Sequence, residues 1–152
     1  MAVAEPVDAD QFGTAEQHVC TDVPRAGPAE RAGAVRAALV GRAFESAVDV
    51  AVTEGERLVG LVTIEALLAA PEDATLGAVM DDDPPIVTPG VDQEIAAWHA
   101  VRHGESSLAV VDDTGRFVGL IPPTRMLTVL LEEHDEDMAR LGGYLASTAR
   151  AR

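Results

Sequence analysis

Phe117-Val118-Gly119-Leu120-Ile121 restates an earlier stretch of the chain, Leu58-Val59-Gly60-Leu61-Val62. Each is a short apolar run about a central glycine, and each follows an acidic turn that contains glycine. The first turn is Glu54-Gly55-Glu56-Arg57 and the second is Asp112-Asp113-Thr114-Gly115-Arg116. Upstream of each turn lies another β-rich run, Val48-Asp49-Val50-Ala51-Val52 and Leu108-Ala109-Val110-Val111. Two such strands joined by a turn of acids and glycine make a hairpin, here written twice. A run with helical spacing follows each hairpin, Ile64 to Leu68 and Met126 to Leu131. The duplication fixes the architecture.

Working outward, residues 18–23 read as a short edge strand stopped by Pro24, and a helix is expected from Ala29 to Arg42 with Val35 and Leu39 on its buried stripe. Pro71 limits the helix that follows the first hairpin, and Thr75 to Met80 reads as a short helical connection broken by Asp81-Asp82-Asp83-Pro84-Pro85. The second copy opens at Ile86-Val87-Thr88, with Pro89 in the place of Pro24. Its first helix spans Asp92 to Arg102, with Ile95, Trp98 and Val101 along one face, and its last begins near Thr124, with Met126, Val129 and Leu130 as the apolar stripe. The fold class is α/β (α+β): two pseudo-symmetric strand–helix–strand–strand–helix repeats. A flexible acidic arm (1–17) precedes the first repeat (18–74). A linker (75–85), the second repeat (86–134) and an acidic connecting segment (135–152) follow. One such repeat cannot cover the open face of its own sheet, so two pack sheet to sheet.

At 152 residues and 47% hydrophobic the chain can bury a real core, and with 3% aromatic residues that core is aliphatic. A net charge of −15 argues against nucleic acid and against anionic membrane surfaces, both of which are bound through surplus Arg and Lys. It favours bound cations. Cys20 is the single cysteine, so no intramolecular disulfide or cysteine metal site forms, and a reducing cytoplasm is the expected compartment. No run of 18 apolar residues and no leader pattern occurs, so the chain reads as soluble.

The element order, with Val59-Gly60-Leu61-Val62-Thr63 and Val118-Gly119-Leu120-Ile121 each after an acidic turn and before a helix, resembles the cystathionine-β-synthase (CBS) domain pair. That resemblance implies a non-catalytic regulatory module, and in many members adenine nucleotide in the clefts between the halves. The family's ribose-binding pattern is Gly-x-x-Thr/Ser-x-x-Asp. Here the first copy has Gly60 and Thr63 with Ala66 in the acid position, and the second has Gly119 with Pro122 and Arg125. Losing the carboxylate removes hydrogen bonds to a charged group worth about 1.5–3 kcal/mol each. The bland readings are that Thr63 caps a helix and that Arg125 is a surface arginine. As a candidate nucleotide set, Gly60, Thr63, Gly119 and Arg125 stand beside them.

The tail resembles the cytosolic region of the MgtE family of magnesium transporters. Glu132-Glu133-His134-Asp135-Glu136-Asp137 packs five carboxylates into six residues, and Glu136 to Gly142 matches that family's acidic Glu-Asp-x-x-x-Leu-Gly segment. The resemblance implies a homodimer that senses Mg²⁺ and gates a transmembrane pore domain of the same protein, at the cytoplasmic face of the membrane. The candidate metal set is Glu132, Glu133, Asp135, Glu136, Asp137 and, from the linker, Asp82. On a helix, Glu132 with Glu136 and Glu133 with Asp137 are like-charged i, i+4 pairs costing about 0.2–0.5 kcal/mol each. A divalent cation relieves that repulsion, and Mg²⁺ needs only one or two carboxylates beside its retained waters. Solvated acids on a terminal helix are the plain alternative. His99 and His103 lack a third ligand for a transition metal. Cys20 reads as a small core residue and Trp98 as a residue packed between helices. With no nucleophile–base pair and no phosphate-cradling glycine loop, an enzyme is not expected.

Overall fold

The computed structural model describes residues 18–90, 95, 98, 107–128 and 131. In each copy a short parallel strand sits beside an antiparallel hairpin. Strand β1 (Arg25–Ala26) pairs with β2 (Asp49–Glu54), which pairs with β3 (Arg57–Thr63). Strands β4 (Ile86–Val87), β5 (Leu108–Val111) and β6 (Phe117–Ile121) repeat the pattern as a second three-stranded sheet. The first hairpin turns on two residues, and Gly55 takes φ +61 at the first, the position a II′ turn reserves for glycine. The second turn is held by Asp112, whose Oδ1 accepts from the Thr114 and Arg116 amides, both at 2.9 Å, and from the Thr114 hydroxyl at 2.7 Å. Both hairpins carry a register irregularity at the same place, Val52/Thr53 and Val110/Val111, so the duplication extends to the bulge.

Helix α1 (Ala32–Leu39), α2 (Ile64–Ala69) and the single turn α3 (Leu76–Val79) cover the outer side of the first sheet, and residues 123–128 are helical after β6. Val35, Val50, Val52, Val62, Leu67 and Leu76 form the core of the first copy. Val87, Leu108, Val110, Ile121 and Met126 form that of the second. Between the sheets lies a third cluster in which Ala51, Leu58 and Leu61 meet Ala109, Phe117 and Leu120. The copies therefore pack sheet to sheet, as one-sided sheets must. The hairpin turns also meet, with the Phe117 amide donating to the Glu56 carbonyl at 2.8 Å.

Several expectations are corrected. Residues 18–23 do not form an edge strand of the first copy. Cys20 makes an isolated antiparallel bridge to Leu120 in the second, and the parallel strand of the first copy is Arg25–Ala26. The counterpart of Pro24 is Pro85, not Pro89: the Pro24 carbonyl accepts from Ala51 at 2.9 Å and the Pro85 carbonyl from Ala109 at 3.2 Å. A proline offers only a carbonyl, and both stand where only a carbonyl is used. Helix α1 is shorter than the span Ala29 to Arg42, beginning after Arg31 and ending before Val40. Ile95 and Trp98, read as a buried face, are 64% and 54% exposed, whereas Val35 and Met126 are buried as expected. Val101, Val129, Leu130, His99 and His103 lie outside the described residues.

Candidate functional site

The chain before each copy crosses onto the other's hairpin, and that crossing builds the region between the copies. Val19–Cys20, upstream of the first copy, lies on β6: the Cys20 amide donates to the Leu120 carbonyl at 2.7 Å and the Leu120 amide to the Cys20 carbonyl at 3.0 Å. Met80–Asp81, upstream of the second copy, lies on β3 in the same way, with Asp81 and Leu61 exchanging bonds of 2.8 and 3.0 Å. Gly60 and Gly119 sit under these crossings. A Cβ on Gly60 would fall 2.8 Å from the Asp81 carbonyl oxygen, and one on Gly119 would fall on the Cys20 carbonyl oxygen. Both glycines are thus accounted for by close backbone approach.

Beyond each glycine, strand gives way to helix. In the first copy Thr63 is the N-cap of α2, its Oγ1 accepting from the Ala66 amide at 3.0 Å. Across from Thr63 in the ladder stands Asp49, 2% exposed, a buried acid that the apolar pattern around it had hidden. In the second copy the Pro122 carbonyl opens the helix, accepting from Arg125 and Met126 at 3.0 and 3.1 Å. By the register of β5 with β6, Ser107 holds the place of Asp49. It is 1% exposed, and its Oγ has no hydrogen-bond partner among the described residues. A buried hydroxyl without a partner costs about 1–3 kcal/mol. No feature of the sequence marked Ser107.

Arg125 faces Glu45 of the first copy, Nη2 to Oε2 at 3.9 Å, and Glu45 Oε1 accepts from the Thr21 amide at 3.0 Å. The Cys20 thiol lies beside this pair. Burial pushes its pKa up, Arg125 pulls it down, and the charge and hydrogen bonding of Glu45 raise it again, for a net upward shift. A thiol held protonated is not an activated nucleophile.

Residues 76–132 match the CBS domain family, and the whole arrangement has the shape of such domains in tandem. The chain has the fold of a CBS-domain pair. Over 91 residues it is 32% identical to the magnesium transporter MgtE of Thermus thermophilus, a match covering 60% of this chain and 20% of that protein. The cytosolic domain of the Mg²⁺ channel MgtE, solved with ATP, superposes with a TM-score of 0.71 at 22% identity over 76% of this chain and 48% of the other. CBSX2, solved with AMP, superposes at 0.64 and 20% identity over 80% of this chain and 98% of its own. At those identities the superpositions establish the fold.

Against this CBS-pair geometry, the expected nucleotide set divides. Thr63 caps its helix and Gly60 and Gly119 lie under the crossings, while Arg125 faces Glu45 with its guanidinium. Of the expected metal set, Glu132, Glu133, Asp135, Glu136 and Asp137 lie outside the described residues. Asp82 is exposed, and its neighbour Asp81 turns Oδ1 back onto the Asp83 amide at 3.0 Å. Among the described residues no three acids, histidines or cysteines gather as a metal site. No helix among them is long and apolar enough to cross a membrane. Val40 and Leu68, 81% and 67% exposed, flank a groove of about 480 Å³ between α1 and α2. In the second copy Ile95, Trp98, Leu127 and Leu131 are exposed on the corresponding helices.

Proposed function

We propose that this CBS pair is the Mg²⁺-responsive regulatory part of an MgtE-like magnesium transporter, working as a homodimer on the cytoplasmic side of a transmembrane pore domain. The observation that carries the reading is the 32% identity to MgtE, joined to a net charge of −15 and the five carboxylates from Glu132 to Asp137. The described fold supplies no cation site by itself, so the ligands are assigned to that acidic run, with Asp82 as a contributor. Divalent cations lower the mutual repulsion of these acids and let copies approach, which links ion concentration to compactness. The exposed apolar helix faces, Val40 with Leu68 and Trp98 with Leu127, are the surfaces two copies would cover. The test is a Mg²⁺ titration at constant ionic strength, read by small-angle scattering and by thermal melting. Compaction with a raised Tm is expected at millimolar-scale Mg²⁺, and identical profiles with metal and with chelator overturn the reading.

A second reading rests on Ser107 and Arg125. A buried hydroxyl without a partner and a guanidinium held by one half-exposed acid are groups that a ligand's sugar and phosphate would satisfy. Adenine nucleotide is the ligand this favours, since the related folds were solved with ATP and with AMP. Calorimetry with AMP and ATP separates the two readings: heat of binding abolished in Arg125→Gln supports the nucleotide, and no heat removes it.

A further inference from the structure

The segment from residue 18 to Pro24 belongs to neither copy alone. It begins on β6 of the second copy and ends beside β2 of the first, where Pro24 accepts from Ala51. Among the described residues its backbone is held on β6 by one bridging residue and two hydrogen bonds, where β2 and β3 share six registered pairs. A segment with so few backbone bonds opens at lower free energy than the hairpins it lies on. Its apolar side chains, Cys20 and Val23, are 1% and 5% exposed in the cluster between the sheets, so release would uncover them.

Glu45 also holds this strap. The Glu45 amide donates to the Asp22 carbonyl at 2.9 Å, and its carboxylate accepts from the Thr21 amide at 3.0 Å. The other carboxylate oxygen faces Arg125 in the 123–128 helix. One residue of the first copy thus touches the strap through backbone and side chain, and the second copy through charge. We propose that Glu45 is the clasp of a releasable strap: its carboxylate, gripping Thr21 and facing Arg125, keeps the strap in place with Cys20 on β6, and weakening that grip frees Val19–Cys20 from β6 while both hairpins stay folded. The Glu45 and Arg125 side chains are 40% and 42% exposed, so the grip answers to salt and to any anion that draws Arg125 away. The strap therefore reports what happens to the charge of Arg125.

Cys20 is the single thiol of the chain and makes the opening measurable. The experiment is the rate of labelling by N-ethylmaleimide, a neutral reagent, under native conditions in the wild type and in Glu45→Gln, Arg125→Gln and Glu56→Gln. The last variant removes an exposed pair to Arg116 (3.4 Å) at the hairpin turns and serves as the control. Glu45→Gln and Arg125→Gln are expected to label up to about fivefold faster, the upper scale of one surface ion pair. Wild type in about 1 M salt, where charges are screened beyond roughly 3 Å, should move the same way. Urea denaturation of each variant gives its global stability. Labelling at the wild-type rate in both clasp variants overturns the proposal. So does equal acceleration in Glu56→Gln, or acceleration no larger than the change in global stability accounts for. If Glu45→Gln does not fold, Arg125→Gln and the salt series decide the matter alone.

Discussion

Gly60 and Gly119 occupy the same place in the two copies, and each is crossed by backbone that precedes the opposite copy. Met80–Asp81 lies over Gly60, and Val19–Cys20 lies over Gly119. Each hairpin is thereby completed by chain that sequence order assigns elsewhere, and the copies are tied by reciprocal exchange as well as by the apolar cluster between their sheets.

Alanine at either glycine is expected to destabilise the fold by about 1–3 kcal/mol, the range for overpacking a filled site. Gly119→Ala should cost more. Its Cβ meets the Cys20 carbonyl and the stiff Val19 side chain, whereas at Gly60 part of the obstruction is the flexible Met80 thioether. Urea denaturation of the two variants checks both the sign and the order. Equal stability to wild type would show that the crossings yield freely.

Deleting residues 1–20 should loosen the second copy, although the deletion lies before the first. Leu120 loses both its bonds to Cys20, while Leu61 keeps its pair to Asp81. Amide hydrogen exchange reads this directly: the Leu120 amide should exchange much faster in the truncated chain, and the Leu61 amide should change little. The opposite order would mean that the strap serves the copy it precedes.

The repeated Gly-centred runs carried the fold because a hairpin is a local object: alternation, turn residues and a following helical stripe all sit within about 20 residues of one another. The exchange was not legible, because nothing in the composition of Val19–Cys20 says which sheet it joins, and the pairing spans some hundred residues of chain. Pro24 was legible as a breaker but not as a carbonyl acceptor in a ladder that begins one residue later. The glycines were read through the family's ribose motif, and the structure adds a close backbone crossing over each. Asp49 and Ser107 were missed for one reason: a single polar residue in an apolar strand looks the same whether it faces solvent or core. Their equivalence appears only once the registers of both hairpins are known.

Stability should fall at alkaline pH through Cys20. Burial first of all holds the folded thiol above its ordinary pKa, so the folded state keeps a proton that the unfolded chain releases. A raised folded pKa means that the contribution is whole below the unfolded thiol's pKa and is lost as pH rises through the folded value. Cys20→Ala, though less stable throughout for its lost packing, should show a flatter urea midpoint across that alkaline window. Parallel slopes for the two proteins would assign the alkaline loss to other groups.

Thr63→Ala should cost about 0.5–2 kcal/mol, the usual loss on removing a hydroxyl N-cap, since the Ala66 amide loses its acceptor. Thr63→Ser should recover most of it. The measurement is chemical denaturation, paired with the nucleotide calorimetry above. If Thr63→Ala leaves stability untouched but abolishes nucleotide heat, the hydroxyl is a ligand contact and the cap is incidental.

The second hairpin turn should be the acid-sensitive one. Asp112 is held below the usual carboxylate range, first by its hydrogen bond with the Thr114 side chain and then by the Arg116 amide. A depressed folded pKa contributes stability that is present above the unfolded carboxylate's pKa and is lost as pH falls through the folded value. Asp112→Ala removes the acceptor for two backbone amides and a hydroxyl at once. At neutral pH the variant should therefore unfold at lower urea than wild type, and the two curves should draw together as acid protonates Asp112. The first hairpin is the internal control: it turns on Gly55 with φ +61 and, among the described residues, leans on no carboxylate cap. A wild-type excess in stability that persists undiminished below the folded carboxylate's pKa would mean that the aspartate acts through packing rather than through its charge.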